Sequence, residues 1–240
     1  SERSASAQGI KLTPLARTID DAGLRYSALD VAVDRTARTA TFVLRGPDGE
    51  QPRDLDTALQ LGDQWWPLRL ARALDDAILL LRTNELEIGT WLFKSQGDLA
   101  AVLAADALLA SNDGHWFVKE VIALWRRTLR RLDVSSRSLL AVIEPGSCFA
   151  GTLLEIALAC DRSYMLDVLD NAPAIALSEL NFGPYTMGSG NTRLLTRFGG
   201  DAKEADSLRA KVGSALPTAA ARELGLVTFS PDDLDWEEEV

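Results

Sequence analysis

Two stretches near the start of the chain alternate between apolar and polar side chains. They are YSALDVAVD (residues 26–34) and TATFVLRG (residues 39–46), joined by a short polar link. Alternation is typical of strands that bury one face, and a short polar link favours a hairpin. We therefore predict two antiparallel strands here. Residues 1–24 carry few apolar repeats and are predicted to form an N-terminal arm or linker.

The next stretch, QWWPLRLARALDDAILLLRTN (residues 64–84), has apolar residues three or four positions apart. This is the spacing of one face of a helix, so we predict a helix that packs on a sheet. Its apolar positions are Trp66, Leu70, Ala73, Leu74, Ala77 and Ile78.

Predicted strands and helices then follow each other along the chain. We predict strands over residues 88–95, 138–144, 163–166 and 174–177, and helices over residues 97–109, 115–132, 151–160, 190–198, 203–211 and 217–224. Strands that alternate with helices indicate right-handed crossovers and a mostly parallel sheet with flanking helices. The fold class predicted from the pattern is therefore α/β.

Composition narrows the class of protein. The chain has 240 residues, of which 47% are hydrophobic, which is enough for a proper core. No apolar run reaches the roughly 18 residues needed to cross a bilayer, and the N-terminus lacks the apolar segment of a signal peptide. We therefore expect no membrane partner and a cytoplasmic location. Since the first residue is not methionine, we also expect a piece of a longer protein.

Charge and cysteine content exclude further classes. The net charge is −10, with acids concentrated in residues 232–239, which disfavours a nucleic-acid partner. Two cysteines, Cys148 and Cys160, are too few for a disulfide scaffold or a zinc site. The basic run RRTLRR (residues 126–131) suits either an anion or a salt-bridged helix face, and we favour the second.

One segment suggests chemistry: EPGSCFAGTLLEIALACD, residues 144–161. A strand ends at Glu144, a loop of small residues follows, and a helix begins near Thr152. Free N–H groups at such a helix end suit a developing oxyanion. Glu155 lies about one turn into the helix, and Glu179 follows a later strand. Two carboxylates near these donors suit general acid and general base roles.

These motifs resemble the crotonase (enoyl-CoA hydratase/isomerase) superfamily. LLAVIEPGSCFAGTLLEIALACD (residues 139–161) is similar to its strand, oxyanion loop and helix, and SELNFGPYTMGSGNTRLL (residues 178–195) is similar to its next block. The resemblance implies a crotonase-like spiral of ββα units over residues 25–240.

Within that superfamily, RTNELEIGTWLFKSQGD, DVSSRSLLAVIEPGSCFAGT, DRSYML and IALSELNFG resemble the C-terminal half of the benzoyl-CoA-dihydrodiol lyase family. The resemblance implies a longer protein with a sister crotonase-like half, and a homo-oligomer. It implies an acyl-CoA substrate, an epoxidised or dihydroxylated benzoyl-CoA, opened to a semialdehyde CoA thioester plus formate. It also implies no metal or redox cofactor, with coenzyme A present only as part of the substrate.

The resemblance assigns roles residue by residue. Glu155 and Glu179 match the two superfamily glutamates, and the backbone N–H of Thr152 matches one oxyanion-hole donor. The other donor usually follows the strand that corresponds to IGTWLFKS, so Ser95 or Gln96 is its nearest match.

Other features point to alternatives. Thr152, Leu153 and Leu154 stand where the superfamily prefers glycines, KSQGD (residues 94–98) replaces a loop of small residues, and DVLDNAP (residues 167–173) is inserted between the two glutamates. They favour a non-catalytic module that supports dimerisation or the active site of the partner half. A third alternative is an enoyl-CoA hydratase or isomerase.

Each candidate also has a structural interpretation. Glu155 is expected to be an acid that pairs with Arg162 or Arg193, and Glu179 an acid that anchors its loop. Cys148 precedes a helix, which suits a nucleophile, but a small buried thiol is the better interpretation.

The remaining candidates are aromatic. His115, the single histidine of the chain, precedes a predicted helix, where a capping or surface role is favoured over a catalytic or metal-binding one. Trp65, Trp66 and Trp116 are interpreted as core or interface residues rather than a stacking platform.

Overall fold

A computed structural model describes residues 9–240 of the chain. Its main feature is a seven-stranded sheet in which the strands follow one another in sequence order, β1 to β7. The first four strands pair antiparallel. Their bounds are β1 Thr18–Asp20, β2 Gly23–Arg25, β3 Leu29–Asp34 and β4 Thr39–Arg45.

From β4 onward the strands pair in parallel, because helices carry the chain back between them. These strands are β5 Thr90–Gln96, β6 Ser138–Ile143 and β7 Arg162–Met165. The crossover helices are α1 Leu55–Leu61 and α2 Trp66–Asn84, then α3 Leu99–Ser111 and α4 Trp116–Asp133, and finally α5 Gly151–Ala159. The chain thus advances by one strand per crossover.

The chain after β7 contains a two-stranded antiparallel sheet, two 3₁₀ turns and four short helices. These are β8 Ala174–Ala176 and β9 Ala215–Pro217, the turns Glu179–Phe182 and Leu208–Lys211, and the helices α6 Arg193–Arg197, α7 Ala202–Ser207, α8 Thr218–Glu223 and α9 Trp236–Glu239. Of these elements, β8, the turn Glu179–Phe182 and α6 contact α5. A further 3₁₀ turn, Gly62–Gln64, lies between α1 and α2.

The predicted hairpin and main crossover elements are confirmed. Strand β9 and helix α9 were not predicted, and two segments near the start of the chain also differ. Residues 18–24, assigned to the arm, form β1 and the start of β2, and every residue of β1 is exposed. An exposed edge strand carries no alternating pattern, because neither face is buried. Helix α1 was not predicted; it buries only Ala58 and is capped by Asp54. The division into an arm over residues 1–24 and a domain over residues 25–240 stays a prediction, and residues 1–8 of that arm lie outside the described residues.

The core lies between the sheet and the crossover helices. The rings of Phe42 and Phe93 stack at 4.6 Å across the parallel pair β4–β5, and Trp91 packs against Phe42 at 5.3 Å. Helices α2 and α4 pack together, and the indole N–H of Trp125 donates to the carbonyl of Pro67 at 2.8 Å. Each aromatic side chain of this size buries a large apolar area.

The outer edge of β7 is covered by the segment after α8. The amide of Met165 donates to the carbonyl of Phe229, and the amide of Asp167 donates to that of Pro231. This segment therefore provides hydrogen-bond acceptors for backbone N–H groups along the open edge of the sheet at β7. Among residues 9–240, none of the helices combines the length and apolarity that a membrane span requires.

The structural interpretations of the basic run, His115, Trp65 and Trp66 hold, and that of Trp116 as an interface residue stays a prediction. In the basic run, Arg127 and Arg131 both pair with Asp75, as expected for a salt-bridged helix face. His115 caps α4, because its Nδ1 accepts from the amide of Phe117 at 3.3 Å. Of the tryptophans, Trp65 and Trp66 are buried in the core, whereas Trp116 is 44% exposed.

Candidate functional site

The candidate site is built around the N-terminus of α5. The loop after β6 leads into Gly151, whose φ is +43°, a value that favours glycine. Glycine is also required by space, because a Cβ at this position would lie 1.8 Å from Oδ2 of Asp106. The first turn of α5 therefore packs directly on a carboxylate supplied by α3.

Asp106 accepts three hydrogen bonds at this helix end. Its Oδ2 accepts from the backbone N–H of Thr152 at 2.8 Å and from the hydroxyl of Ser178 at 2.7 Å. Its Oδ1 accepts from the hydroxyl of Thr152 at 2.6 Å. Burial, which leaves the residue 1% exposed, raises the pKa of Asp106 to about 6, and the three donors oppose that rise.

The hydrogen-bond network continues to Tyr185. The hydroxyls of Thr152 and Tyr185 lie 2.9 Å apart, and Tyr185 is buried. Burial raises the pKa of Tyr185 well above its ordinary value. The phenol therefore stays protonated, and α3, α5 and the segment before α6 are joined by buried polar contacts.

Glu155 is buried one turn further along α5 and is 1% exposed. Its Oε1 accepts from the side-chain amide of Asn181 at 2.8 Å, and its Oε2 accepts from Nη1 of Arg193 at 2.9 Å. Burial raises the pKa of Glu155 to about 7, while the charge of Arg193 and the hydrogen bond from Asn181 oppose the rise. Both oxygens of this carboxylate are therefore engaged.

Arg193 in turn has a second carboxylate partner. Its Nη2 contacts both oxygens of Asp133 at 2.8 Å, and its Nη1 also donates to the carbonyl of Tyr185 at 3.0 Å. The predicted pairing of Glu155 is thus with Arg193. Arg162 is exposed and lies over the ring of Phe229 instead.

Glu179 is placed differently from Glu155. It begins the 3₁₀ turn Glu179–Phe182, and its exposed side chain pairs with Arg209 at 3.3 Å. Among residues 9–240, no hydrogen bond or ion pair joins it to Glu155. Asn181 is the residue of this turn that contacts Glu155. Two carboxylates expected to act together therefore face different surroundings.

A cavity of about 360 Å³ lies between α3 and the segment 177–179. Its polar lining comes from Asp106, Ser178 and Glu179, and its remaining walls are mostly small or apolar. Asp106 and Glu179, rather than Glu155 and Glu179, are therefore the two acids that share a cavity.

Ser95 and Gln96 lie inside β5, opposite Leu44 and Arg45 of β4. The buried hydroxyl of Ser95 accepts from the amide of Cys148 at 2.9 Å and so holds the loop that precedes α5. Gln96 is exposed. Their role as oxyanion-hole donors stays a prediction.

Two other side chains near Ser95 and Gln96, those of Lys94 and Cys148, have structural surroundings. Lys94 pairs with Glu144 at 2.9 Å across the ends of β5 and β6. Cys148 is buried, and burial raises its pKa to about 11, which supports its interpretation as a buried thiol. Within residues 9–240, no group of three or more histidine, cysteine, aspartate or glutamate side chains is placed to hold a metal ion.

Comparison with known proteins reveals one curated relative. The chain is 51% identical over 240 residues to benzoyl-CoA-dihydrodiol lyase from Aromatoleum evansii. The match covers 100% of this chain and 43% of the relative, so the chain spans less than half of that protein's length. The predicted resemblance is confirmed. No protein-family model matches the chain.

Solved enoyl-CoA hydratases share its architecture. The protein from Geobacillus kaustophilus matches with a TM-score of 0.57 at 20% identity, over 94% of this chain and 74% of its own. The one from Bacillus anthracis matches with a TM-score of 0.56 at 20% identity, over 89% and 73% respectively. The chain has the crotonase fold. The predicted fold class is confirmed.

The sequence did not show that Asp106, Asn181 and Arg193 belong to this hydrogen-bond network. Of these three residues, only Arg193 was named, as one possible partner of Glu155. A signal existed for Asp106, which is the single acid in the apolar run LAAVLAADALLAS. Glu155 has the same signature in α5. Asn181 carries no such signal, since amides are common in turns.

Proposed function

We propose that this chain is one part of a ring-opening lyase that acts on a dearomatised benzoyl-CoA. The observation that carries the proposal is the 51% identity to benzoyl-CoA-dihydrodiol lyase, which extends over the whole chain. The crotonase fold is consistent with it, although the hydratases support the fold alone.

The proposed substrate is a 2,3-epoxy- or dihydrodiol-benzoyl-CoA thioester, which reacts with water. Hydrolytic C–C cleavage then gives an opened semialdehyde CoA thioester plus formate. We propose no metal or redox cofactor, with coenzyme A entering only as part of the substrate. We also propose a sister crotonase-like half in the same polypeptide, a homo-oligomer and a cytoplasmic location.

Activity of the full-length protein tests this proposal. The protein is incubated with the epoxide or the dihydrodiol of benzoyl-CoA, and formate and the ring-opened thioester are quantified by mass spectrometry. We expect one formate per thioester opened. Absence of turnover with both substrates in folded protein would overturn the assignment, and hydration of crotonyl-CoA would favour the enoyl-CoA hydratase alternative.

A second function concerns this chain itself. We propose that it is a non-catalytic crotonase-like module, which supports the dimer or the active site of its partner half. The supporting observation is Glu155, which is 1% exposed and whose two oxygens accept from Asn181 and Arg193, so that this carboxylate is held within the protein. Glu179 pairs with Arg209 at the surface.

Substitutions in the full-length protein separate the two roles of this chain. A positioned general acid or base contributes about 10²- to 10⁴-fold to the rate. If the chain is a module, Glu179→Gln changes kcat by less than about threefold, whereas loss of about 100-fold or more in a folded variant rules the module out. Glu155→Gln is compared at matched folded fraction, because Glu155 also supports the fold.

A further inference from the structure

The backbone N–H of Thr152 is already occupied. Residue matching assigns this N–H to an oxyanion hole, where a thioester oxygen would accept its hydrogen bond. In this chain Oδ2 of Asp106 lies 2.8 Å from that nitrogen. A carboxylate oxygen of the protein therefore stands where the oxygen of a substrate carbonyl would stand.

Three hydrogen-bond donors hold the carboxyl group of Asp106 in place. The hydroxyls of Thr152 and Ser178 donate further hydrogen bonds to this carboxyl group at 2.6 and 2.7 Å, and all three residues are buried. The start of a helix is also electrostatically favourable for an anion. Three short hydrogen bonds to one buried group make its displacement by a neutral thioester oxygen unfavourable.

The contact between Asp106 and the start of α5 requires glycine at position 151. A Cβ on that residue would lie 1.8 Å from Oδ2 of Asp106 and 2.6 Å from the hydroxyl of Ser178. The space directly against Gly151 is thus filled by the acid and Ser178.

We propose that Asp106 is a built-in ligand of the oxyanion position of this chain and that it excludes a thioester carbonyl from the N–H of Thr152. The inference rests on the proposed function only for the assignment of that N–H as an oxyanion donor. It implies that the full-length protein binds its thioester in the other half of the polypeptide.

Chemical rescue tests whether this position is an anion site. Asp106→Gly in the full-length protein removes the carboxylate and leaves a space in which formate can accept the same three hydrogen bonds. We expect sodium formate to raise the Tm of this variant by about 2 to 6 °C relative to sodium chloride at equal ionic strength. Acetate, which is larger, is expected to give a smaller rise.

Two proteins serve as controls. Wild type keeps its own carboxylate, and Asp106→Asn fills the space with an amide, so formate should leave the Tm of both within about 1 °C of its value in chloride. An equal response of all three proteins, or no response of folded Asp106→Gly, would overturn the proposal.

A second measurement uses wild type and does not depend on folding of a variant. Titration calorimetry of the full-length protein with benzoyl-CoA should find at most one thioester site per polypeptide, whereas two sites would overturn the proposal. Neither measurement requires turnover, so a protein that lacks ring-opening activity but shows formate rescue would refute the proposed reaction and retain this inference.

Discussion

The guanidinium group of Arg193 donates to the carboxylate of Glu155 at 2.9 Å, and both side chains are at most 2% exposed. Asp133, 6% exposed, holds the opposite side of the same guanidinium. One arginine of α6 therefore ties down acids from α4 and α5. Removal of one partner from a buried ion pair leaves an uncompensated charge, so this contact is costly to break.

Arg193→Met should accordingly destabilise the protein by about 3 to 5 kcal/mol. Urea unfolding followed by circular dichroism measures the change in free energy. The matched control is Arg209→Met, because Arg209 also pairs with a glutamate but is 47% exposed. That surface pair should contribute no more than about 1 kcal/mol. Similar losses for both variants would contradict the structural role assigned to Arg193.

Asp106 should make stability depend on pH. Its pKa is about 6 in the folded protein and 3.8 by default, so the folded state holds more protons between these values. The contribution of Asp106 to the free energy of unfolding is fully present below about pH 4 and is lost as the pH rises through about 6. Asparagine does not titrate, so Asp106→Asn does not lose this stability. As the pH rises from 4 to 7, the unfolding free energy of Asp106→Asn minus that of wild type should therefore increase by on the order of 1 to 3 kcal/mol.

The measurement is the difference in unfolding free energy between the two proteins at each pH, because other acids contribute equally to both. Glu155, whose pKa is also raised, is present in both proteins and cancels. A difference that stays constant with pH would show that Asp106 does not titrate in this range.

Gly151 should tolerate no side chain. Gly151→Ala places a methyl group against Asp106 and Ser178 in addition to the cost of a positive φ, so we expect a loss of about 3 kcal/mol or more. Gly49 has a φ of +69° and open space around it, so Gly49→Ala should cost only about 1 to 2 kcal/mol. Chemical denaturation of both variants gives the comparison, and equal losses would show that space at Asp106 is not limiting.

Both cysteines should be unreactive in the folded protein. Cys148 and Cys160 are buried, and burial raises the pKa of each thiol. Thiolate is the reactive form, so we expect negligible labelling by a chromogenic disulfide reagent at about pH 8 and two thiols per chain in denaturant. Rapid labelling of one thiol in native protein would revive the interpretation of Cys148 as a nucleophile.

Much of the fold could be predicted from the sequence because its elements bury one face. The alternating strands β3 and β4 and the helices α2 and α4 carry their burial in their own periodicity. Strand β1 and helix α1 could not be found in this way, since each buries too little to leave a pattern.

The candidate site was predictable in its residue types but not in its pairings. The acid of an apolar helix marked Glu155 as unusual, and Arg193 was a named candidate partner. Glu179 was expected near Glu155 from motif order alone, but local sequence does not specify which side of a 3₁₀ turn faces the core. The structure turns Asn181 inward and Glu179 outward.

The sequence by itself determined most strands and helices of the main sheet, the start of a helix near Thr152 and the presence of an acid one turn later, because these depend on contacts between near neighbours. Tertiary structure alone decided what meets that helix end. Asp106 lies 46 positions before Thr152, and a hydrogen bond over that separation forms only when α3 and α5 pack together. That packing places the carboxylate of Asp106 against the backbone N–H of Thr152.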